Sequence, residues 1–184
     1  RTIWLSHSSD VADCNGNIGC FAETRDAVIE NVTTCNGNDI SYTKLEEVLQ
    51  FMNDNGIKKY VSLDLKGWIP CSGNSLDIEG VMRAATEEII KLGENYNLTE
   101  YLIIETNVVS VLTWAKKKNS SIQVYLTSYG DYEKAMLQAL KNNLDGISYK
   151  ANFGDELNAD MMNLLHKKGL RLMAWNIPDS LYAQ

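Results

Sequence analysis

The sequence has 184 residues, of which 45% are hydrophobic, and its formal net charge at pH 7 is −7. This composition is typical of one globular domain with a buried core and lacks the bias of disordered or repetitive chains. A pI of about 4.8 excludes the basic surface that nucleic acid binding requires. No apolar run approaches the ~20 residues needed to cross a bilayer, so we expect no transmembrane segment.

The first apolar segment, residues 2–6, is predicted as a strand that ends at His7 and leads into a polar loop. Substrate can reach an imidazole in such a loop, and the imidazole titrates near neutral pH. His7 is therefore a candidate general acid or base. The alternative is an ordinary surface histidine.

Four cysteines lie in the first half of the chain, mostly in surroundings rich in Asn and Gly: Cys14, Cys20, Cys35 and Cys71. These surroundings favour loops held by disulfides. The simplest pairing joins Cys14 to Cys20, and the second joins Cys35 to Cys71. Disulfides persist in oxidising compartments, so we expect an extracytoplasmic or secreted protein. Buried free thiols are the alternative.

From residue 43 onward, segments of helical period alternate with short apolar or β-branched runs, which is the pattern of parallel βα units. Helices are predicted at 43–55, 77–93, 108–118, 132–142 and 156–168. Strands are predicted at 60–66, 101–105, 122–127, 146–149 and 171–175. Five strands of this kind form either an open doubly wound sheet or a closed barrel.

The barrel is favoured because no strand ends in the G-x-G-x-x-G turn of dinucleotide-binding open sheets. A complete barrel takes about 250 residues, so this chain is too short for eight strands. We therefore predict an α/β fold, a single (β/α) TIM-type barrel domain over residues 1–184 that is incomplete. The barrel wall is expected to be open beside strands 60–66 and 171–175.

Catalytic groups in such barrels project from the carboxyl ends of the strands. Asp64 and Lys66 stand two apart at the end of one strand, so both side chains point to the same face. A carboxylate and an amine there can hold a cation and an anionic group side by side, or form an ion pair that only fills the barrel. Trp175 closes another strand and either walls a pocket or packs at the rim. His166, in the last turn of a helix, is interpreted as structural.

Several segments, in this order, resemble the glycerophosphodiester phosphodiesterase family. They are Trp4-Leu-Ser-His7, Lys44-Leu-Glu-Glu-Val-Leu49, Leu63-Asp-Leu-Lys66 and His166-Lys-Lys-Gly-Leu-Arg-Leu-Met-Ala-Trp-Asn176, with Tyr149 near the end of the family's sixth strand. The family has a (β/α) barrel fold and hydrolyses phosphodiesters of glycerol with a divalent metal and two histidines.

The resemblance implies metal-dependent hydrolysis of glycerophosphodiesters, small-molecule substrates, to an alcohol and glycerol phosphate. It makes His7 and Lys66 catalytic, the first as acid or base and the second as a cation facing the phosphate. Asp64 is implied as a ligand of a divalent metal, Ca or Mg, and Trp175 and Tyr149 as substrate-binding residues.

Two departures from the family pattern favour a rival hypothesis. Ser8 follows His7 where the family has His-Asp, and the family's His-Arg-Gly and Glu-x-Asp motifs do not occur in these residues. The rival is a catalytically inactive barrel that binds a phosphorylated or lipid head-group ligand.

Overall fold

The computed structural model describes residues 2–8, 10–21, 23–34, 40–66, 77–151 and 159–176. The chain separates into two compact units, one of residues 1–59 and 67–99 and the other of residues 60–66 and 100–184. The single barrel domain over the whole chain stays a prediction. Among the described helices, none combines the length and apolar character that a membrane crossing requires.

Six short strands lie in the first unit: β1 (Trp4–Leu5), β2 (Asp10–Asp13), β3 (Gly16–Cys20), β4 (Thr33–Thr34), β5 (Ile40–Ser41) and β6 (Thr43–Lys44). They form three separate antiparallel pairs, β1 with β6, β2 with β3 and β4 with β5. The predicted strand at residues 2–6 is therefore only two residues long, and it does not join a parallel sheet.

The first unit also contains α1 (Asp26–Ile29), α2 (Leu45–Asp54) and α3 (Ile78–Asn95). A small core of Val11, Ile29 and Val32 lies under its hairpins. Phe21 and Tyr42 pack against this core, with ring centroids 4.9 Å apart in an edge-to-face arrangement. Large aromatic rings thus extend a core that has few aliphatic residues.

The predicted bond between Cys14 and Cys20 is wrong, because the two residues lie at opposite ends of the β2–β3 hairpin. Cys14 is in the turn beside the Asp13–Gly16 pair, whereas Cys20 pairs with Asp10 at the far end. A strand rises ~3.3 Å per residue, so the two Cα atoms are well beyond the ~7 Å limit for a disulfide. No cysteine among the described residues is a free thiol. The predicted pair Cys35–Cys71 lies outside them.

The second unit contains one parallel sheet, with β7 (Val61–Asp64), β8 (Leu102–Thr106), β9 (Gln123–Ser128), β10 (Gly146–Lys150) and β11 (Arg171–Trp175). Its helices are α4 (Val109–Lys118), α5 (Tyr132–Lys141) and α6 (Ala159–Lys167), and each connects two adjacent strands. The strand order is β11-β10-β9-β8-β7, and the sheet curls into part of a (β/α) barrel. This confirms the predicted incomplete barrel. Within the described residues, β7 and β11 are the two edges, as expected.

Four helices, α2, α3, α5 and α6, end in the same way. A residue with a positive φ follows each of them closely: Gly56 at 63°, Asn97 at 54°, Asn143 at 51° and Gly169 at 77°. The next residue is apolar and donates its N–H to a carbonyl five residues earlier, as Leu144 does to Ala139 (3.0 Å) and Leu170 to Leu165 (3.0 Å). This arrangement is a Schellman motif, and its apolar residue anchors the chain just before the next strand begins.

Alternation along the strands gives the sheet two distinct faces. The face covered by α4 and α5 is apolar and fully buried, with Leu102, Ile104, Val124 and Ile147 each at 0% exposure. The opposite, inner face carries the polar side chains, such as Asp64. The curl of the sheet brings the inner-face side chains of neighbouring strands together at its carboxyl edge.

Candidate functional site

Asp64 and Lys66 form an ion pair at the carboxyl end of β7, on the inner face. The two-residue spacing predicts this common face, and the structure confirms it. Burial by itself lowers the pKa of Lys66, but the hydrogen bond to Asp64 and the charges of Asp64, Tyr129 and Glu105 together raise it above its usual value. Lys66 is therefore a permanent cation at neutral pH, one third exposed to solvent (33%).

Glu105 places a second carboxylate beside the first. Its Cα pairs with that of Asp64 across the β7–β8 ladder, and paired residues of parallel strands share a face. The Oε1 atom of Glu105 accepts a hydrogen bond of 3.0 Å from Ser62 Oγ, which holds the carboxylate on the inner face. The sequence patterns predicted no role for Glu105. Its position at the end of a predicted strand was the available signal.

A cluster of Tyr129, Lys150 and Trp175 lies at the carboxyl ends of the next three strands. The Nζ atom of Lys150 is 5.7 Å from the centroid of the Trp175 ring. The Tyr129 ring meets the Trp175 ring edge-on, with centroids 5.6 Å apart and planes at 86°. Tyr129 is 53% exposed, so this aromatic wall is open to solvent. The substrate contact of Trp175 stays a prediction.

Tyr149 is not part of this cluster. Strand β10 continues to Lys150, which pairs with Trp175, and alternation places Tyr149 on the opposite, helix-covered face. Its side chain is only 3% exposed. A ring so buried offers a ligand no contact surface, so the structure does not support the predicted substrate contact. Lys150 takes the inner-face position instead.

The two histidines lie in different units. His7 belongs to the first unit, where it is exposed in the loop between β1 and β2. His166 is exposed in the last turn of α6, where a cation suits the negative end of the helix dipole, as expected. The role of His7 as acid or base stays a prediction.

The side chains at the carboxyl edge of the sheet supply only some of the ligands that a divalent cation needs. Asp64 and Glu105 supply adjacent carboxylate oxygens, which are the ligands that Ca²⁺ and Mg²⁺ prefer. No group of three or more His, Cys, Asp or Glu side chains within the described part of the chain is arranged around one point. The described residues therefore supply at most two of the protein ligands of such a metal.

Comparison with known proteins shows similarity in structure but not in sequence. No protein-family model matches the sequence, and no curated protein matches it. Among solved structures, the chain is similar to a protein of Silicibacter pomeroyi that is provisionally described as a glycerophosphoryl diester phosphodiesterase. The TM-score is 0.72 at 15% identity, over 95% of this chain and 68% of that one.

Two further solved structures give the same result. An Oleispira antarctica phosphodiesterase, in complex with the product sn-glycerol-3-phosphate, matches with a TM-score of 0.71 at 14% identity, over 98% of this chain and 71% of that one. A glycerophosphodiester phosphodiesterase from Parabacteroides distasonis matches at 0.69 and 11% identity, over 99% of this chain and 68% of that one. The chain therefore has the (β/α) barrel fold of these phosphodiesterases.

Proposed function

We propose that this chain forms part of a phosphoric diester hydrolase that cleaves glycerophosphodiesters. Water adds to the phosphorus atom and the bond to the alcohol oxygen breaks, which yields an alcohol and glycerol phosphate. The observation that supports this most is the inner-face edge itself. In a fold shared with phosphodiesterases, it holds the Asp64–Lys66 pair, a second carboxylate at Glu105 and an aromatic wall at Trp175.

Lys66 has the charge and position to bind the non-bridging oxygens of the phosphodiester. Its raised pKa keeps it protonated throughout the neutral range, and its ammonium donates hydrogen bonds at the edge where substrate enters. Trp175 then packs against the glycerol half of the substrate. A flat ring open to solvent suits the C–H groups of a polyol while the hydroxyls remain hydrated.

Asp64, with Glu105 beside it, would hold a Ca or Mg ion, and other ligands would complete the coordination. Such a cation, when bound, neutralises charge on the phosphoryl oxygens and so favours attack at phosphorus. His7 would transfer a proton to or from the attacking or leaving oxygen, a role that suits an exposed imidazole.

The second candidate is a catalytically inactive barrel that binds a phosphorylated or lipid head-group ligand. The direct pairing of Asp64 with Lys66 favours it, because the Asp64 carboxylate already has a cationic partner. Ser8 after His7, in place of aspartate, points the same way. In both candidates Lys66 binds an anion of the ligand, so a measurement of substrate turnover is needed to distinguish the hydrolase from the inactive barrel.

We also propose an extracytoplasmic location for the protein. The absence of free thiols among the described residues supports disulfide formation, and disulfides persist mainly in oxidising compartments.

The test is hydrolysis of a glycerophosphodiester by the full-length protein with saturating Ca²⁺ or Mg²⁺. We expect His7→Ala to lower kcat by about a hundredfold or more, because a proton-transfer group is lost. Asp64→Asn should raise the metal concentration needed for half-maximal rate, because it removes a charge from a site for a hard cation. His166→Ala is the matched control and should keep the wild-type rate. If the wild-type protein binds glycerol phosphate but never turns over a diester, the inactive barrel is the correct candidate.

A further inference from the structure

Three tryptophan rings in the described residues have a lysine ammonium over them. The distances from Nζ to the ring centroid are 5.2 Å for Lys44 over Trp4, 5.0 Å for Lys118 over Trp114 and 5.7 Å for Lys150 over Trp175. Such pairs are common and by themselves indicate only packing. What surrounds each ammonium decides whether its charge is available to a ligand.

Lys150 differs from Lys66, also on the inner face, in having no acidic partner within the described part of the chain. Lys66 is paired with Asp64, and Lys44 of the first unit is paired with Glu30 at 2.6 Å. Within the described residues, no carboxylate forms a salt bridge with Lys150. A ring face partly balances a cation but accepts no conventional hydrogen bond, so the described contacts of Lys150 leave its N–H donors available.

The position of Lys150 connects it to the candidate site. Its Cα pairs with that of Trp175, and both lie at the carboxyl edge on the inner face. Lys150 and Trp175 are each partly exposed, and the Tyr129 ring contacts the Trp175 ring edge-on. An ammonium with no acidic partner among the described residues, beside an aromatic surface, suits a ligand with an anionic oxygen next to a short polyol.

We propose that Lys150 is a further ligand-binding residue of this site, which binds an anionic oxygen of a glycerol phosphate ester while Trp175 contacts the glycerol. The ligand class rests on the proposed function. Hydrolysis is not required, because the contact forms equally with substrate, with product or in an inactive barrel.

A purely structural role for Lys150 gives a different expectation. The methylene stem of a lysine packs on a ring without its charge, and methionine reproduces that stem. Lys150→Met therefore keeps the packing on Trp175 and removes only the ammonium. The chain offers a matched control in Lys118→Met, which removes the same kind of ammonium from Trp114 in the last turn of α4, near the amino end of the sheet.

The experiment is titration calorimetry of the full-length protein with sn-glycerol 3-phosphate. Lys150→Met should raise the dissociation constant by about tenfold to a hundredfold, the loss of affinity expected for one hydrogen bond to a charged group. Lys150→Arg should retain most of the affinity, and Lys118→Met should bind as the wild type does. Equal affinity of Lys150→Met and Lys118→Met, or no binding by the wild type, would overturn the inference. Binding that depends on Lys150 without turnover of any diester would reject the hydrolase and leave this inference intact.

Discussion

The two ends of the parallel sheet in the second unit are built from different chemistry. At the amino end, Arg171 Nη1 donates to Gln123 Oε1 at 2.8 Å, and the Tyr125 hydroxyl donates to the same oxygen at 3.3 Å. The Gln123 amide in turn donates to the Glu100 carbonyl at 3.2 Å. At the carboxyl end, Lys66 and Lys150 bring two ammonium groups toward solvent, and only Lys66 has a described acidic partner.

The pKa of Arg171 reflects the hydrogen bonds at the amino end of the sheet. Hydrogen bonds that Arg171 donates to Tyr60 and Tyr125 raise the pKa of Arg171. A polar network whose members satisfy one another contributes to stability, whereas charges that lack partners are available to a ligand. The amino end therefore stabilises the fold, and we expect the carboxyl end to bind the ligand.

The largest effect expected at the carboxyl end is on catalysis. Lys66→Met should lower kcat/KM for a glycerophosphodiester by about a hundredfold, or ~2.7 kcal/mol, because a charge-assisted contact to phosphate is lost. The free energy of unfolding should change by less than ~1 kcal/mol, since the pair with Asp64 is partly exposed. Kinetics and urea unfolding on the same preparation test both. A large loss of stability with unchanged kcat/KM would show instead that Lys66 stabilises the fold and does not bind substrate.

A substitution at the amino end should have the opposite profile. A Cβ atom on Gly146 would lie 2.5 Å from the Arg171 carbonyl oxygen and 3.1 Å from a Tyr125 ring carbon. Because backbone must move to relieve the overlap, Gly146→Ala should lower the free energy of unfolding by about 2 kcal/mol. Urea denaturation measures this.

Gly130→Ala is the matched control for Gly146→Ala. Gly130 follows the carboxyl end of β9, and a Cβ atom there meets nothing within 4 Å. The free energy of unfolding should stay within about 1 kcal/mol of wild type and can rise, because alanine restricts the unfolded chain. Equal losses at both glycines would show that the two ends do not differ in packing.

The smallest effect expected is a dependence on pH. Burial raises the pKa of Tyr125 above its usual value, an effect that the hydrogen bond with Arg171 only partly offsets. Above about pH 10 the unfolded chain releases this proton before the folded chain does, so stability falls as pH rises. Tyr125→Phe removes this group, and its stability deficit relative to wild type should narrow between pH 8 and pH 10.5. A constant deficit across that range would show that Tyr125 does not titrate differently in the two states.

Sequence patterns predicted the second unit well because its strands and helices are specified locally. Apolar runs mark its strands, and the Asn or Gly after α5 and α6, each followed by an apolar residue, marks where these helices end. In the first unit, helices α2 and α3 lie close to their predicted ranges, but the strands were predicted poorly. Its strands are two to five residues long, and the periodicity of such short segments cannot separate a barrel strand from a hairpin.

What the sequence by itself determined was the order of βα units and the common face of Asp64 and Lys66, because a spacing of two on one strand does not depend on the partner strand. Only the tertiary structure decided which residues of different strands meet. Side chains alternate along a strand, so a shift of one residue exchanges the inner and helix-covered faces. The pairing of Lys150 with Trp175 thus placed Lys150 at the site and buried Tyr149. The register depends on packing across the whole sheet, and for that reason no local pattern revealed it.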